Sequence, residues 1–504
     1  MKQSIKSLSF YLFVLCTPYI ITADCDDDHR DTFGRTYFHA RSDGSNKARD
    51  SAGMANLITW GYDNCSNGVV WGTAEYSRSF DQRGLGKYLF FNGSDTMLSG
   101  TAAGPGIDIF AENFLLNDNF NSAITARPQV TNKLAEFNIF AALDFCCNGL
   151  YVMAHVPYIQ TKWNVDFIET ASTPGTIIIA NTLGNPVDTP APFNSMIEAW
   201  NGQATFFDVK QPLQFARVNG SQKKSRFSDI EIALGYILLD DECNFISINL
   251  RGIMPLGNKP QGIFLFEPIV GNDHHYEIGA GILANFYLWE GCCNELLTIM
   301  VNANAYTMLK SSQKRTFDLL NNGIGSRYLL FKRFDAGVYA DEIVRGPNIL
   351  TLPIHTSNKI HGDIVLMVEC LYNRWIIDGG YNLWGRTRDH INLIGTLPEN
   401  TFGIAGLSGT AGPGRNSTAS ATLITGANAT LIDAAPVFIS NKDINIESAA
   451  HPGAFSHGLF AHLGYIWNTH SVQPFIGGGT EIEFSGTNRS LKMWHIWAKI
   501  GFSF

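Results

Sequence analysis

Apolar and polar residues alternate with a period of two along most of this chain, and that alternation restricts its possible folds more than any other feature. At the C-terminal end Trp494, Ile496, Ala498, Ile500, Phe502 and Phe504 share one parity, while His495, Lys499, Gly501 and Ser503 share the other. A period of two means a β-strand with an apolar and a polar face. Met493 and Trp497 stand on the polar parity as exceptions. The pattern returns around residues 134–145, 151–158, 229–238, 246–254, 277–288, 299–306, 363–369, 375–388, 459–467 and 476–484. So many two-faced strands predict an all-β architecture whose apolar faces need extensive cover.

The N-terminal 23 residues carry Lys2 and Lys6, then an apolar stretch from Leu8 to Ile21, then Ala23 before an acidic run. This is the layout of a secretory signal cleaved after Ala23. Lipidation at Cys16 or Cys25 is disfavoured, because Leu15 and Asp24 are not the small residues expected before a lipidated cysteine. No later stretch reaches the roughly 18 to 20 apolar residues of a helical membrane span. Charged residues make up 16% and aromatics 12%, with a mean hydropathy of −0.01, a low charge content for a soluble exported protein. A net charge of −9 argues against a nucleic-acid partner.

A terminal Phe504 closing an alternating strand, with Phe502 before it and an export signal at the other end, resembles the Gram-negative outer-membrane β-barrel proteins, porin-like but of no specific family. The resemblance implies a transmembrane antiparallel up-and-down β-barrel in the cell outer membrane. It also implies that outer-membrane lipid and the insertion machinery are partners, the latter reading Phe502 and Phe504. An apolar exterior around a polar interior accounts for the balanced hydropathy.

Link lengths support the same topology. Short links at residues 146–149, 240–243, 291–294, 373–374 and 468–471 alternate with long ones at 164–226, 255–274, 311–326 and 389–456, as tight periplasmic turns and longer outer loops require. The alternation fails between Tyr328 and Ile360, where a further crossing near Phe334 to Tyr339 is expected. Val70 to Phe80 and Lys87 to Leu98 also read as strands, although Arg78 spoils the first. The expected total is about 12–16 strands, with 14 foremost. The chain thus divides into a signal at 1–23, a plug or periplasmic segment at 24–68 with a short helix from Lys47 to Ile58, and a barrel at 69–504 with long outer loops 164–226 and 389–456. Residues 403–434, rich in Gly, Ala, Ser, Thr and Asn, read as outer loop.

The polar parity would line a lumen. Its acids are Glu136, Asp144, Asp229, Glu231, Glu277, Asp363, Glu369, Asp378, Glu481 and Glu483, and its bases Arg251, Arg386, Arg388 and Lys499. An acidic wall enriches cations, unless interior charges pair with one another. Of the eight cysteines after the signal, Cys146, Cys147, Cys243, Cys292, Cys293 and Cys370 fall at or near short links. Disulfides to other turns or to neighbouring molecules, including homo-oligomeric ones, are expected there, since adjacent cysteines close a strained ring. Such rim clusters resemble the cross-linked envelope barrels of chlamydiae.

No catalytic, cofactor or metal constellation is expected. His155, His462 and His495 fall on the inward parity, away from the outward surface that a Ser/His hydrolase of this class would use. Three functions compete: a passive, weakly cation-preferring pore, a structural or surface-interaction barrel working through its long loops, and a soluble β-protein extractable without detergent.

Overall fold

The protein is seen in a computed structural model that describes residues 41–58, 68–100, 106–117, 119–143, 148–170, 176–180, 186–241, 244–291, 295–405, 436–467, 472–486 and 489–504. Twelve strands cross in turn: β1 (Gly68–Ser79), β2 (Gln129–Ala142), β3 (Leu150–Asn164), β4 (Ile230–Asp241), β5 (Asn244–Met254), β6 (Glu277–Glu290), β7 (Glu295–Thr316), β8 (Thr351–Tyr372), β9 (Trp375–Arg386), β10 (Ala454–Ile466), β11 (Gln473–Ser485) and β12 (Met493–Ser503). Each pairs antiparallel with its sequence neighbours, and β12 pairs with β1, from Val69 opposite Ser503 to Ser79 opposite Met493. The ring is closed, so no strand edge is left open.

Two further strands complete a 14-stranded sheet. Ser221–Phe227 prolongs β4 along the upper part of β3, and Asp389–Leu393 prolongs β9 along Ile354–Asn358 of β8. Fourteen strands therefore pair, although twelve make the circuit.

The apolar parity faces out. Leu250 is 69% and Ile500 65% exposed, in a band with Leu234, Ile278, Leu459 and Ile496. A soluble sandwich would hide these side chains between its sheets. Aromatic rows border the band. At the short-turn end Tyr372, Trp375, Trp467, Phe502 and Phe504 are exposed, with Trp375 and Tyr465 ring centroids 5.0 Å apart. At the other end stand Tyr158 with Phe227, 5.2 Å apart, and Tyr76 with Trp494, 5.4 Å apart. From Trp494 to Phe504 the strand has the roughly 9–11 residues that a tilted strand needs to cross a bilayer. Among the described residues no helix is long and apolar enough to do so.

Several expectations are corrected above the band. Lys87 to Leu98 is no crossing: Asp81 caps a helix at Gln82–Leu89, accepting from the Gly84 amide, and Thr96–Gly100 joins a small separate sheet. Leu330–Asp335 and Val338–Arg345 form a hairpin with Phe402–Ile404 off the barrel. No crossing is needed there, because β7 and β8 are long strands joined by a long outer link. The outer links fold together over the barrel mouth. Their core holds Trp200, Phe114, Phe91, Tyr328 and Phe167, and a second cluster forms around Phe317, Phe331 and Ile354.

The two exceptions in β12 gain a reason. Trp497 points inward into an apolar cluster inside the barrel, and Met493 joins the core of the outer cap.

Candidate functional site

The lumen holds the residues 41–58. Asn46 accepts from the amides of Ala48 and Arg49, capping a helix at Lys47–Ser51, here α1. Gly53 follows at φ +75, a left-handed conformation that favours glycine. A Cβ on Gly53 would also collide with the His462 imidazole. Sequence and wall thus fix the turn that aims the amides of Gly53, Ala55 and Asn56 at the barrel.

The segment descends from the outer end inward. Arg41 pairs with Glu483 at 2.7 Å, and the Asn46 amide donates to Glu481 at 2.6 Å. Lys47 pairs with Glu231 at 2.8 Å, and Glu231 also takes Arg251 from β5. Arg49 is fully buried and bridges Glu75 at 2.8 Å and Glu136 at 2.7 Å, joining β1 to β2. The same two acids accept His495 and His155, each at 3.0 Å. Lower down, Gly53 N donates to Asp378 at 2.6 Å, and the Ala55 and Asn56 amides donate to Glu369 at 3.3 and 3.0 Å. Lys499 donates to the carbonyls of Ala52 and Asp50 at 2.6 and 3.2 Å.

Between these polar groups Met54, Leu57 and Ile58 cluster with Trp71, Phe140, Phe460 and Trp497. Cavities of about 40, 30 and 30 Å³ remain along the segment, each room for a water or two. The inward wall therefore carries charged groups along its whole depth, with Glu369, Asp378, His462 and Lys499 set among the apolar side chains towards the short-turn end, and residues 41–58 occupy the space they enclose.

Of the expected lumen residues, Glu136, Asp229, Glu231, Arg251, Glu277, Asp363, Glu369, Asp378, Arg386, Glu481, Glu483 and Lys499 are buried inside the ring or at its outer lip. Glu277 pairs with His361 at 2.8 Å, and Asp363 accepts from Asn304 at 2.8 Å. Arg386 turns to Asp389 at the outer lip. Arg388 departs from expectation: it lies past the end of β9, partly exposed, and pairs with Glu447 in the outer link. Asp144 lies outside the described residues. So do Cys146, Cys147, Cys243, Cys292 and Cys293. Cys370 is a free thiol at the inner end of β8, on the outward parity.

Sequence reasoning missed Glu75, Arg41, Asn46, Lys47 and Arg49 as members of this site. Glu75 could have been found from the inward parity of β1, and Asn46 from its place before a helical run.

Asp50, Glu136 and His155 bring ligand atoms within 4.8 Å of one another. Arg49 already engages Glu136, and Lys47 lies 3.2 Å from Asp50, so a cation there would have to displace both bases. The cluster is an ion-pair network.

A closed antiparallel ring with an apolar, aromatic-bordered exterior and a polar, buried interior defines a β-barrel protein of the outer-membrane type. No protein-family model and no curated protein matches the sequence. Among solved structures, the chain is similar to an outer membrane channel from Pseudomonas putida F1, with 8% identity over 87% of this chain and 96% of that one at a TM-score of 0.36. It is also similar to the translocator domain of the autotransporter NalP from Neisseria meningitidis, with 7% identity, 91% and 95% coverage and a TM-score of 0.29. A third is the transport unit of the autotransporter AIDA-I from Escherichia coli, with 7% identity, 92% and 99% coverage and a TM-score of 0.30. What those proteins conduct or export is said of them alone.

Proposed function

We propose that this chain is an exported outer-membrane barrel that works as a gated pore for small solutes, closed in the state described above by residues 41–58. One observation carries the reading: the obstruction is held by side-chain ion pairs and hydrogen bonds and by apolar packing, with no backbone strand pairing to the wall. Such a segment can leave without opening the ring. Its departure would take Arg41, Lys47 and Arg49 away from Glu483, Glu231, Glu75 and Glu136. The exposed wall would then hold more carboxylates than bases and prefer cations.

The test is planar-bilayer recording of refolded full-length protein beside Lys47→Gln/Arg49→Gln and, as a variant that leaves the wall charges paired, Gly53→Val. Rare openings in the natural chain, frequent ones in both variants and a cation-side reversal potential are expected. Silence of all three in folded, inserted form contradicts a pore.

A second reading, a structural or surface-interaction barrel, is favoured by the outer links having their own aromatic core around Trp200. It expects loss of envelope integrity or surface binding when residues 165–218 are replaced by a short turn. Export through the signal at 1–23, insertion read through Phe502 and Phe504, and disulfides among the rim cysteines belong to the same proposal. Cys370, facing outward, suits a bond to a neighbouring molecule better than one across the lumen.

A further inference from the structure

The strand register gathers basic side chains on the outward face of β1 to β4, where a lipid-facing wall should be apolar. Arg78 lies opposite Thr131, Thr131 opposite Lys162, and Lys162 opposite Lys223 of the strand that prolongs β4. These four residues form one row across four neighbouring strands. Lys133 stands one outward position nearer the bilayer, between Tyr76 and Gln160. Arg78, Lys133, Lys162 and Lys223 are all exposed. None of them is ion-paired among the described residues.

The row sits at a boundary. The next outward positions below Lys133 are Ala74, Ala135, Tyr158 and Phe227, followed by Gly72, Phe137 and Val156. Phe137 is 52% and Phe227 54% exposed. The basic groups therefore lie directly outward of the hydrocarbon band, at the depth of lipid headgroups. Three strand spacings of about 4.8 Å separate Arg78 from Lys223, so the row spans roughly 14 Å.

Lys162 and Lys223 are direct cross-strand partners, an arrangement that is unfavourable for like charges. An anion between them removes the penalty. The long arms of all four bases can reach phosphate oxygens while their methylene stems lie on the wall.

We propose that this face is a binding site for a membrane lipid with a phosphate headgroup in the outer leaflet. Its phosphate rests on Arg78, Lys133, Lys162 and Lys223, and its acyl chains run down over Tyr158, Phe227 and Phe137. The site rests on the reading that the apolar exterior meets lipid. It deepens that reading by giving one sector of the exterior a lipid preference.

The test uses the full chain in phosphatidylcholine vesicles doped with spin-labelled phosphatidic acid or spin-labelled phosphatidylcholine, reading the immobilised fraction of each. The natural chain should favour phosphatidic acid by roughly fivefold to tenfold, a preference that high salt reduces. The variant Arg78→Gln/Lys133→Gln/Lys162→Gln/Lys223→Gln should lose it, while Lys310→Gln/Lys359→Gln, exposed bases on β7 and β8, should keep it. Millimolar inorganic phosphate should displace little of the bound lipid, because the acyl chains share in the binding. Equal preference in the natural chain and the fourfold variant overturns the site. Complete displacement by inorganic phosphate overturns a lipid occupant in favour of the free anion. Failure of the natural chain to enter vesicles at all contradicts the underlying membrane reading instead.

Discussion

Arg49 concentrates the chemistry of the closed lumen. It is fully buried between Glu75 and Glu136, with a further bond from its guanidinium to the Gly44 carbonyl at 3.0 Å. Removing one partner of such a network leaves buried charges uncompensated, which typically costs about 3–5 kcal/mol. Arg49→Met should therefore destabilise the closed state by an amount of that order, measured as a lowered denaturant midpoint, whereas Arg49→Lys retains the charge and should lose less. At Gly53 the effect is steric: a side chain meets His462 while the backbone stays left-handed. Gly53→Val should expose the lumen to small water-soluble thiol reagents at Ser51→Cys, with little change in the barrel's own unfolding. The outward face gives the opposite test. Ile500→Arg places a charge in the lipid band and should cost about 2–4 kcal/mol near the bilayer midplane, read as a reduced yield of inserted protein.

Among the elements, the strand Asp389–Leu393 ties the outer cap to the prolonged end of β8. Asp389 there accepts from Arg315 at 2.9 Å, pairs with Arg386 and accepts from the His451 amide at 3.3 Å. Burial pushes the Asp389 carboxyl up, but Arg386 and Arg315 outweigh it and hold the group below the usual carboxylate range. His451 is fully buried, and burial, with Arg386 beside it, lowers its imidazole to about 3. The unfolded cap takes up a proton at His451 below about pH 6.5 that the folded cap refuses, so stability present at neutral pH is lost as pH falls. Asp389 adds to the loss below about pH 4, where its unfolded form protonates first. Amide exchange across residues 389–393, corrected for intrinsic rate, should accelerate from pH 7 to pH 5 (~2 units). His451→Gln should flatten that dependence, and an unchanged rate in the natural chain counts against the tie between Asp389–Leu393 and the cap.

Legibility in the sequence follows from what each element answers to. Strands β2 to β12 are legible because lipid enforces an apolar outward parity, as Ile232, Leu234 and Tyr236 show in β4. Inward positions answer to packing instead, so Trp71, Phe140, Phe460 and Trp497 pack inside the barrel without disturbing the outward pattern. Each sets an apolar side chain on the inward parity, in β1, β2, β10 and β12 alike. The strand expected from Lys87 to Leu98 covers instead the end of the helix at Gln82–Leu89 and the start of Thr96–Gly100, because both serve the cap, where neither lipid nor lumen sets a period of two. Arg78 looked like a flaw in β1, yet the register sets it in a row with Lys162 and Lys223. Register depends on distant partners and is not contained in any single segment.

For the molecule as a whole, the central claim is that the outward parity meets hydrocarbon while the inward parity and residues 41–58 fill a closed ring. Single nitroxide labels at Ile248→Cys, Leu459→Cys and Ile500→Cys test it most directly, compared with Ser247→Cys and Thr298→Cys on the inward parity. In lipid vesicles the outward labels should collide readily with oxygen and hardly with a water-soluble nickel chelate, and the inward ones should be shielded from both. Outward labels that are quenched by the nickel chelate as strongly as an exposed loop site would contradict the account.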